Sequence, residues 1–223
     1  GDRVVWLSFD GYFWGPRTML GIERHLMAFY DQPELMHRMN RDLADFNAAL
    51  LDGFCEHVCV PQFITLAEDM SYNNGPMLSE AHFDEFLGEH YIRLSEQLAR
   101  RGIKFIIDSD GDVLKLIPWL KKVGVDGILP LERMAGVDVA QIRSLYPDWL
   151  MIGGFDKTVM KDGEGAQRRE FERLLPVAAG GGFIPSVDHQ TPPDVSLENY
   201  GVFLRLMEEY AERAARCAPA LQG

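Results

Sequence analysis

The feature that most constrains this chain is a regular alternation of short apolar runs with longer segments of helical periodicity. Each apolar run is bounded by Gly, Pro or Asp, and most are continuous, a pattern typical of strands buried on both faces. Strands that alternate with helices of this size indicate parallel βαβ units in an α/β fold. The six predicted strands are 3–9, 62–66, 104–108, 127–130, 150–153 and 183–187.

The helical segments between the strands carry start signals of their own. Pro33 stands near the beginning of segment 33–59, where proline is tolerated because its missing N–H would lack a helical partner anyway. Ser79 is predicted to cap the next helix, which continues through Leu98. Asp110 or Asp112 is predicted to cap a helix over 112–123. The remaining predicted helices are 137–146, 164–178 and 196–217.

Composition narrows the class of partner. The chain has 22 basic and 34 acidic side chains, and this formal charge of −12 argues against nucleic acid or anionic membrane as a partner. No apolar run approaches the roughly 20 residues of a membrane-spanning helix, and the first residues lack the pattern of a signal peptide. The three cysteines are too few for a disulfide framework. We therefore expect a cytoplasmic protein that acts on a small molecule.

Polar residues follow nearly every predicted strand at its carboxyl end. A barrel of eight βα units gathers such ends into one ring, where barrel enzymes keep their active sites, whereas an open doubly wound sheet is the alternative. His189 stands out among these residues because it precedes a rigid loop with two prolines. The polar residues at strand ends are Asp10, Glu68, Asp69, Asp108, Ser109, Asp110, Glu132, Asp156, Lys157, Asp188 and His189.

Several familiar site motifs are absent or incomplete. The sequence has no phosphate loop with Lys, no dinucleotide fingerprint, no His-Glu-x-x-His and no Cys-x-x-Cys. The acidic run 108–112 resembles the start of a calcium loop, but Trp119 stands where the bidentate Glu is required. Cys55 and Cys59 have no His or Cys at metal-site spacing, so we interpret them as core residues. The five histidines other than His189 are interpreted as surface or cap residues.

Six blocks of sequence, each weak alone, carry a resemblance to a known family. They are 8–14, 30–35, 77–86, 124–132, 153–157, and 188–193 with 198–200. In this order they resemble the uroporphyrinogen decarboxylase superfamily, which also includes cobamide-dependent methyltransferases. The resemblance runs over essentially all 223 residues. It implies a (β/α)8 TIM barrel and so decides between barrel and open sheet.

The resemblance also predicts a missing part. The chain has no initiator Met and enters its first strand within three residues, so we expect it to be a fragment of a longer protein. Strands three to eight of a barrel would by themselves leave two unpaired edges, which natural barrels avoid. We therefore expect the single domain 1–223 to lack its first two βα units.

The residues that match the family's functional positions are only partly retained. The family's catalytic tyrosine corresponds to Met19, whereas the histidine after the last strand is matched by His189. Methyltransferases of the family bind zinc through a His-x-Cys pair and a later Cys. The corresponding positions are Asp108 to Asp110 and the neighbourhood of Asp188, an oxygen-rich set that disfavours zinc-activated thiol chemistry.

The leading hypothesis is a carbon–carbon lyase of this family, as in porphyrin biosynthesis. It would decarboxylate a porphyrinogen-like or other small carboxylated substrate without a cofactor. Asp69, Asp108 or Asp110 would stabilise the cation formed on protonation, and His189 would donate the proton. Arg17 and Lys157 are the candidates for binding a substrate carboxylate. The full set of predicted substrate-binding residues is Asp10, Tyr12, Trp14, Arg17, Glu68, Asp156 and Lys157.

The excess of acidic residues at the strand ends keeps two alternatives open. A polycarboxylate porphyrinogen would be repelled by these charges unless the missing segment supplies arginines. One alternative is a methyltransferase that works with a corrinoid partner protein and uses a corrinoid or a divalent metal, for which Asp108, Asp110 and His189 are the candidate ligands. The other is a non-catalytic protein that binds a small molecule. Formation of a homodimer is left open.

Overall fold

The computed structural model describes residues 3–217. Contacts within the chain divide it into two compact units, Gly1–Gly127 and Ile128–Gly223. All six predicted strands are present, each within three residues of its predicted bounds, because continuous apolar runs mark parallel strands. The first and last strands are not buried on both faces, since Trp6 is 55% and Ile184 61% exposed. The prediction of one domain over 1–223 stays a prediction.

The first unit contains three parallel strands. Strand β1 (Trp6–Asp10) pairs with β2 (Phe63–Ala67), which in turn pairs with β5 (Lys104–Asp108). The register places Asp10 beside Ala67 and Ala67 beside Asp108, so the carboxyl ends of the three strands form one row. The other elements are helices α1 (Trp14–Leu20), α2 (Ile22–Asp31), α3 (Pro33–His57), α4 (Glu80–His82), α5 (Glu89–Ala99) and α6 (Ile117–Lys122), and the hairpin strands β3 (Ser71–Tyr72) and β4 (Gly75–Pro76).

Two predicted helix starts are confirmed in this unit, and one helix is interrupted. Pro33 occupies the first turn of α3, and the Ser79 hydroxyl accepts a hydrogen bond from the backbone N–H of His82 at 3.1 Å. A π-helix over Phe83–Gly88 separates α4 from α5. Its wider turn buries four of its six residues, and the Asn40 side chain donates to the carbonyl oxygen of Phe86 at 3.0 Å.

The predicted helix over 112–123 is wrong in its first half. Helix α6 begins only at Ile117, with Leu116 at the N-cap position, so neither Asp110 nor Asp112 caps it. The backbone of Asp112 is instead bonded to the β3 strand, because its N–H donates to the carbonyl oxygen of Tyr72 and its carbonyl oxygen accepts from the Ser71 hydroxyl. This attachment holds the segment as a loop.

The second unit contains a parallel strand pair covered by helices. Strand β6 (Gly127–Leu129) crosses the division between the units and is followed by α7 (Val139–Leu145), β7 (Leu150–Phe155), α8 (Glu164–Ala179), β8 (Phe183–Val187) and α9 (Leu197–Cys217). Strand β7 pairs with β8 in parallel. The core is aromatic: the Phe155 ring lies 4.7 Å from Phe171 and 5.0 Å from Phe203, centroid to centroid, a spacing at which aromatic pairs attract.

Two features bear on the predictions made from composition. The interpretation of five histidines as surface or cap residues is wrong for two of them, since His25 is 0% and His90 5% exposed. Both lie on the inner faces of helices, where aromatic neighbours such as Phe13 and Tyr12 cover them. Among residues 3–217, no helix has the length and apolar character needed to cross a membrane.

Candidate functional site

The most elaborate arrangement in the first unit is built around the buried side chain of Glu68. Glu68 follows β2 and is 0% exposed. Its carboxylate accepts hydrogen bonds from the backbone N–H groups of Tyr12, Phe13 and Trp14 at 2.9, 2.7 and 3.1 Å, and from the Tyr91 hydroxyl. These five residues are called the Glu68 cluster. The cluster fixes the turn between β1 and α1, because three consecutive amides of that turn share one acceptor group.

The sequence around the turn is adapted to this carboxylate. A Cβ atom on Gly11 would lie 2.1 Å from the Glu68 carboxyl carbon, so only glycine fits beside it. The Tyr12 ring is 1% exposed and packs edge-on against Tyr91 at 5.3 Å. Burial and the Glu68 charge raise the pKa of Tyr12, so its phenol stays protonated. The predicted contact of Tyr12 with substrate stays a prediction, and the contacts seen here are those of a core residue.

Burial also controls the ionisation of Glu68 itself. It raises the pKa of the carboxyl group to about 7, and the hydrogen bonds from Tyr91 and the three amides oppose that rise. The group therefore titrates near neutral pH although it has no access to solvent. Burial likewise raises the pKa of Tyr91, with the Glu68 charge as the next cause, so the tyrosine remains the donor in the pair.

Arg17 lies on α1, three residues after the last amide of the Glu68 cluster. Its guanidinium donates to the carbonyl oxygen of Asp69 at 2.8 Å and lies 5.0 Å from the centroid of the Trp14 ring, within cation–π range. Asp69 has a φ of 44°, a left-handed conformation that is strained for a residue with a side chain. Among residues 3–217, no carboxylate lies within ion-pair distance of Arg17. The cation is thus fixed in place by neutral groups.

The other predicted acidic residues of this unit lie near the same strand ends. Asp10 is exposed and ends β1, and its carbonyl oxygen accepts from the Asn47 side chain at 3.0 Å. Asp108 ends β5 and is half-buried, and Asp110 is half-buried in the loop that follows. The structure therefore brings Asp10 and Asp108 into the same row, on either side of Ala67.

The second unit has its own buried acid, Asp188, directly after β8. Asp188 is 0% exposed, and its carboxylate accepts from the backbone N–H of Arg133 at 2.8 Å and of Lys157 at 3.2 Å. The Lys157 ammonium lies 4.0 Å from this carboxylate and 3.5 Å from that of Glu132. These four residues are called the Asp188 cluster. Burial raises the pKa of Asp188, and the two amide hydrogen bonds and the Lys157 charge oppose that rise.

Two further predicted residues of this unit have local contacts. The Asp156 carboxylate accepts from the backbone N–H of Thr158 at 2.9 Å and so caps the 3₁₀ segment Lys157–Asp162. His189 is exposed, next to the buried Asp188. The predicted roles of Asp156 and Lys157 as substrate ligands, of His189 as proton donor, and of Asp108, Asp110 and His189 as metal ligands all stay predictions.

The positions that correspond to the zinc ligands of related methyltransferases do not fit a thiolate site. The two ligand positions of the family's His-x-Cys pair correspond to Asp108 and Asp110, which carry carboxylates and no thiol. Ser109 between them is 1% exposed, and its hydroxyl accepts from the backbone N–H of Met70 at 3.2 Å. Asp188 is committed to two amides and an ammonium group. Zinc with soft sulfur ligands, as in those methyltransferases, is therefore not supported by these side chains.

Sequence reasoning missed Tyr91 and the way in which Glu68 is used. Tyr91 stands in an apolar helical pattern and gave no sign of a polar contact, since its partner is 23 residues away in the chain. Met19, which stands at the position of the family's catalytic tyrosine, lies on α1 and is 72% exposed. The only local signal was Gly11 between aromatic residues and an acid, which marks a close approach but does not identify the approaching group.

Comparison with known proteins finds similar sequences and a similar solved structure. Uroporphyrinogen decarboxylases from Pseudomonas fluorescens strains SBW25 and Pf0-1 are each 24% identical over 220 residues, which is 93% of this chain and 59% of the relative. A methyltransferase from Methanosarcina mazei superimposes with a TM-score of 0.68 at 14% identity, covering 94% of this chain and 60% of that one. This likeness confirms the predicted α/β barrel class, while the whole protein's activity is not fixed by it.

The chain spans 59% of the length of the curated relatives that it matches, and the two relatives are similar over nearly all of it. The family model for uroporphyrinogen decarboxylase (URO-D) matches residues 16–210, a range that includes most of both units. This chain therefore belongs to the uroporphyrinogen decarboxylase family.

Proposed function

We propose that this chain is part of an enzyme that decarboxylates a small carboxylated molecule, with Arg17 as the group that binds the substrate carboxylate. The observation that supports the proposal is that Arg17 is held in place without an ion pair. Its guanidinium contacts a carbonyl oxygen and an aromatic ring, and among residues 3–217 no carboxylate neutralises its charge. Arginine binds a carboxylate through two parallel N–H groups, and only one nitrogen is engaged here.

Lys157 is the other predicted carboxylate ligand, and its surroundings suit that role less well. Its side chain is 13% exposed, and its ammonium group lies within 4.0 Å of two carboxylates, Glu132 and Asp188. A substrate carboxylate there would have to displace an existing ion pair and would be repelled by the second acid. Arg17 has no such competitor, so the two cations are unequal candidates.

The proposed reaction needs a proton and a stabilised cation. A proton is added to the electron-rich ring carbon that carries the carboxylate, the bond between this carbon and the carboxylate carbon breaks, and carbon dioxide leaves. The bonding electron pair returns to the cationic substrate and neutralises it. Asp69 is the group proposed to stabilise that cation, because its backbone also anchors Arg17. His189 is the proposed proton donor, and no cofactor takes part.

The charges around Arg17 limit the substrate. Asp10, Asp69, Asp108 and Asp110 follow the strands of the first unit, against one arginine held at the same ends. This balance favours a substrate with a single carboxylate and a neutral or cationic remainder over a polycarboxylate. Porphyrinogen decarboxylation, the activity in the names of the two Pseudomonas relatives, is therefore a less favoured form of the proposal.

The test is release of carbon dioxide by the full-length protein from a panel of pyrrole and aromatic carboxylates labelled at the carboxyl carbon. Arg17→Gln should raise KM at least tenfold, because a charged hydrogen bond contributes about 1.5–3 kcal/mol. Arg24→Gln is the matched control: Arg24 is exposed on α2, and its replacement should leave KM within twofold.

Two results would overturn the proposal. One is the absence of labelled carbon dioxide from every substrate together with methyl transfer to a corrinoid protein, which would establish methyltransferase activity instead. The other is turnover that Arg17→Gln and Arg24→Gln change equally.

A further inference from the structure

We infer that Glu68 is a positioning residue that holds Arg17 in place for carboxylate recognition and does not itself contact the substrate. The inference rests on the proposed function of Arg17 and adds the element that orients it. Glu68 was predicted to bind the substrate; in this inference it instead supports Arg17, which binds the substrate.

The first step is that Glu68 has no acceptor oxygen left for a substrate. One carboxylate oxygen, Oε1, accepts from the Tyr12 amide and the Tyr91 hydroxyl, and the other, Oε2, accepts from the amides of Phe13 and Trp14. The side chain is 0% exposed. A ligand could reach it only by breaking the turn that it holds.

The second step connects this carboxylate to Arg17. Trp14 begins α1, and its amide is bonded to Glu68, while its ring lies under the Arg17 guanidinium. The guanidinium is held from the other side by the carbonyl oxygen of Asp69, the residue that follows Glu68 in the chain. Two adjacent residues after β2 therefore hold both ends of the segment from Tyr12 to Arg17. Loss of either contact should free the guanidinium to move.

The third step is the choice of variants. Glu68→Gln keeps the shape of the side chain but places an NH2 group against amide donors, so at least one amide loses its acceptor. Glu68→Asp is one methylene shorter and cannot reach all three amides. Asn40→Ala is the control for the loss of a buried polar contact in the same unit, because the Asn40 side chain donates to the carbonyl oxygen of Phe86, which lies outside the turn.

The readout is the rate at which phenylglyoxal, an arginine-selective reagent, modifies Arg17, measured by peptide mass spectrometry on the full-length protein. Arg24 in the same unit is exposed and serves as the internal reference. The ratio of the Arg17 rate to the Arg24 rate should rise at least threefold in Glu68→Gln, by an intermediate factor in Glu68→Asp, and not at all in Asn40→Ala. With an active substrate, Glu68→Gln should raise KM at least tenfold and leave kcat within threefold.

This readout needs no substrate, so failure of the proposed decarboxylation and failure of the positioning role are separate results. An unchanged ratio in folded Glu68→Gln and Glu68→Asp would overturn the inference, as would an equal rise in Asn40→Ala. If neither Glu68 variant folds, the test is made on the wild-type protein, by measuring hydrogen exchange of the backbone amides of Tyr12, Phe13 and Trp14. These amides should exchange at least tenfold more slowly than the unprotected rate of their sequence, and exchange at the unprotected rate would overturn the inference.

Discussion

The two units each bury one acid after a strand, and they stabilise it in different ways. Glu68 and Asp188 are both 0% exposed, and both accept hydrogen bonds from backbone N–H groups in segments that follow other strands. Within residues 3–217 Glu68 has only neutral donors, the amides and the Tyr91 hydroxyl, whereas Asp188 also has the Lys157 ammonium at 4.0 Å. An isolated buried charge is unfavourable. We therefore expect Glu68 to take up a proton, whereas the Lys157 ammonium stabilises the charged form of Asp188.

The largest expected effect is the loss of the Glu68 carboxylate. Glu68→Ala would leave three amides and one hydroxyl without their acceptor, and each unpaired buried group costs about 1–3 kcal/mol. We expect the free energy of unfolding to fall by at least about 4 kcal/mol in urea denaturation. Asp188→Ala removes the acceptor of only two amides and should cost less, about 3 kcal/mol. A larger loss in Asp188→Ala would contradict the comparison.

The second prediction concerns pH. Burial raises the pKa of Glu68 from 4.5 to about 7, so the unfolded chain releases this proton at lower pH than the folded protein. Stability should therefore fall as pH rises from 4.5 to 7, by on the order of 3 kcal/mol. Glu68→Gln should lose this slope, since it has no proton to release, whereas Asp188→Asn should retain most of it. A wild-type unfolding free energy that is flat across this window would show that the hydrogen bonds outweigh desolvation.

Some of the elements that form the Glu68 and Asp188 clusters could be predicted from the sequence, and others could not. The strands were predictable because continuous apolar runs mark them, and Glu68 and Asp188 could be placed directly after the second and last of these strands. Helices α1 and α2 were not predicted, because Gly15, Pro16 and Gly21 in a short segment are typical of a turn. The π-helix was missed because its sequence is an ordinary amphipathic pattern.

The roles of the site residues were harder to predict than their positions. A rule that every acid at a strand end faces a substrate does not distinguish Asp10, which is exposed, from Glu68, whose carboxylate is buried among backbone amides. That distinction depends on Tyr91 and the turn at Tyr12, which lie 23 and 56 residues from Glu68 in the chain. Only tertiary packing brings these donors together.

The third prediction tests the space beside the Glu68 carboxylate. Gly11→Ala would place a Cβ atom 2.1 Å from the carboxyl carbon, and overpacking of a filled core costs about 1–3 kcal/mol. Gly53→Ala is the matched control on α3, where a Cβ atom meets nothing within 4 Å and alanine should stabilise the helix by about 0.5–1 kcal/mol. Thermal or urea unfolding of both variants measures the difference. Equal effects in the two variants would mean that the Glu68 side chain yields without strain.

The smallest expected effect comes from removing the cation of the Asp188 cluster. Lys157→Met keeps the hydrogen bond from the backbone N–H to Asp188 but removes the ammonium group of a side chain that is 13% exposed. We expect the free energy of unfolding to fall by about 1 kcal/mol at pH 7. Without that charge the pKa of Asp188 should rise further, because the Lys157 charge is one of the causes that now lower it.

The pH dependence of this last effect separates a charge interaction from a packing loss. In Lys157→Met the pKa of Asp188 in the folded protein is higher, so the variant loses more stability than the wild type as pH rises above the ordinary pKa of 3.8. The difference in the free energy of unfolding between the two proteins should therefore grow between pH 4 and 7. Lys161→Met is the matched control: this lysine pairs with Asp194, both are about half exposed, and its loss should change stability by less than about 0.5 kcal/mol. A difference for Lys157→Met that stays constant with pH would mean that the lysine stem, not its charge, supports Asp188, and the two buried acids would then differ less than their surroundings indicate.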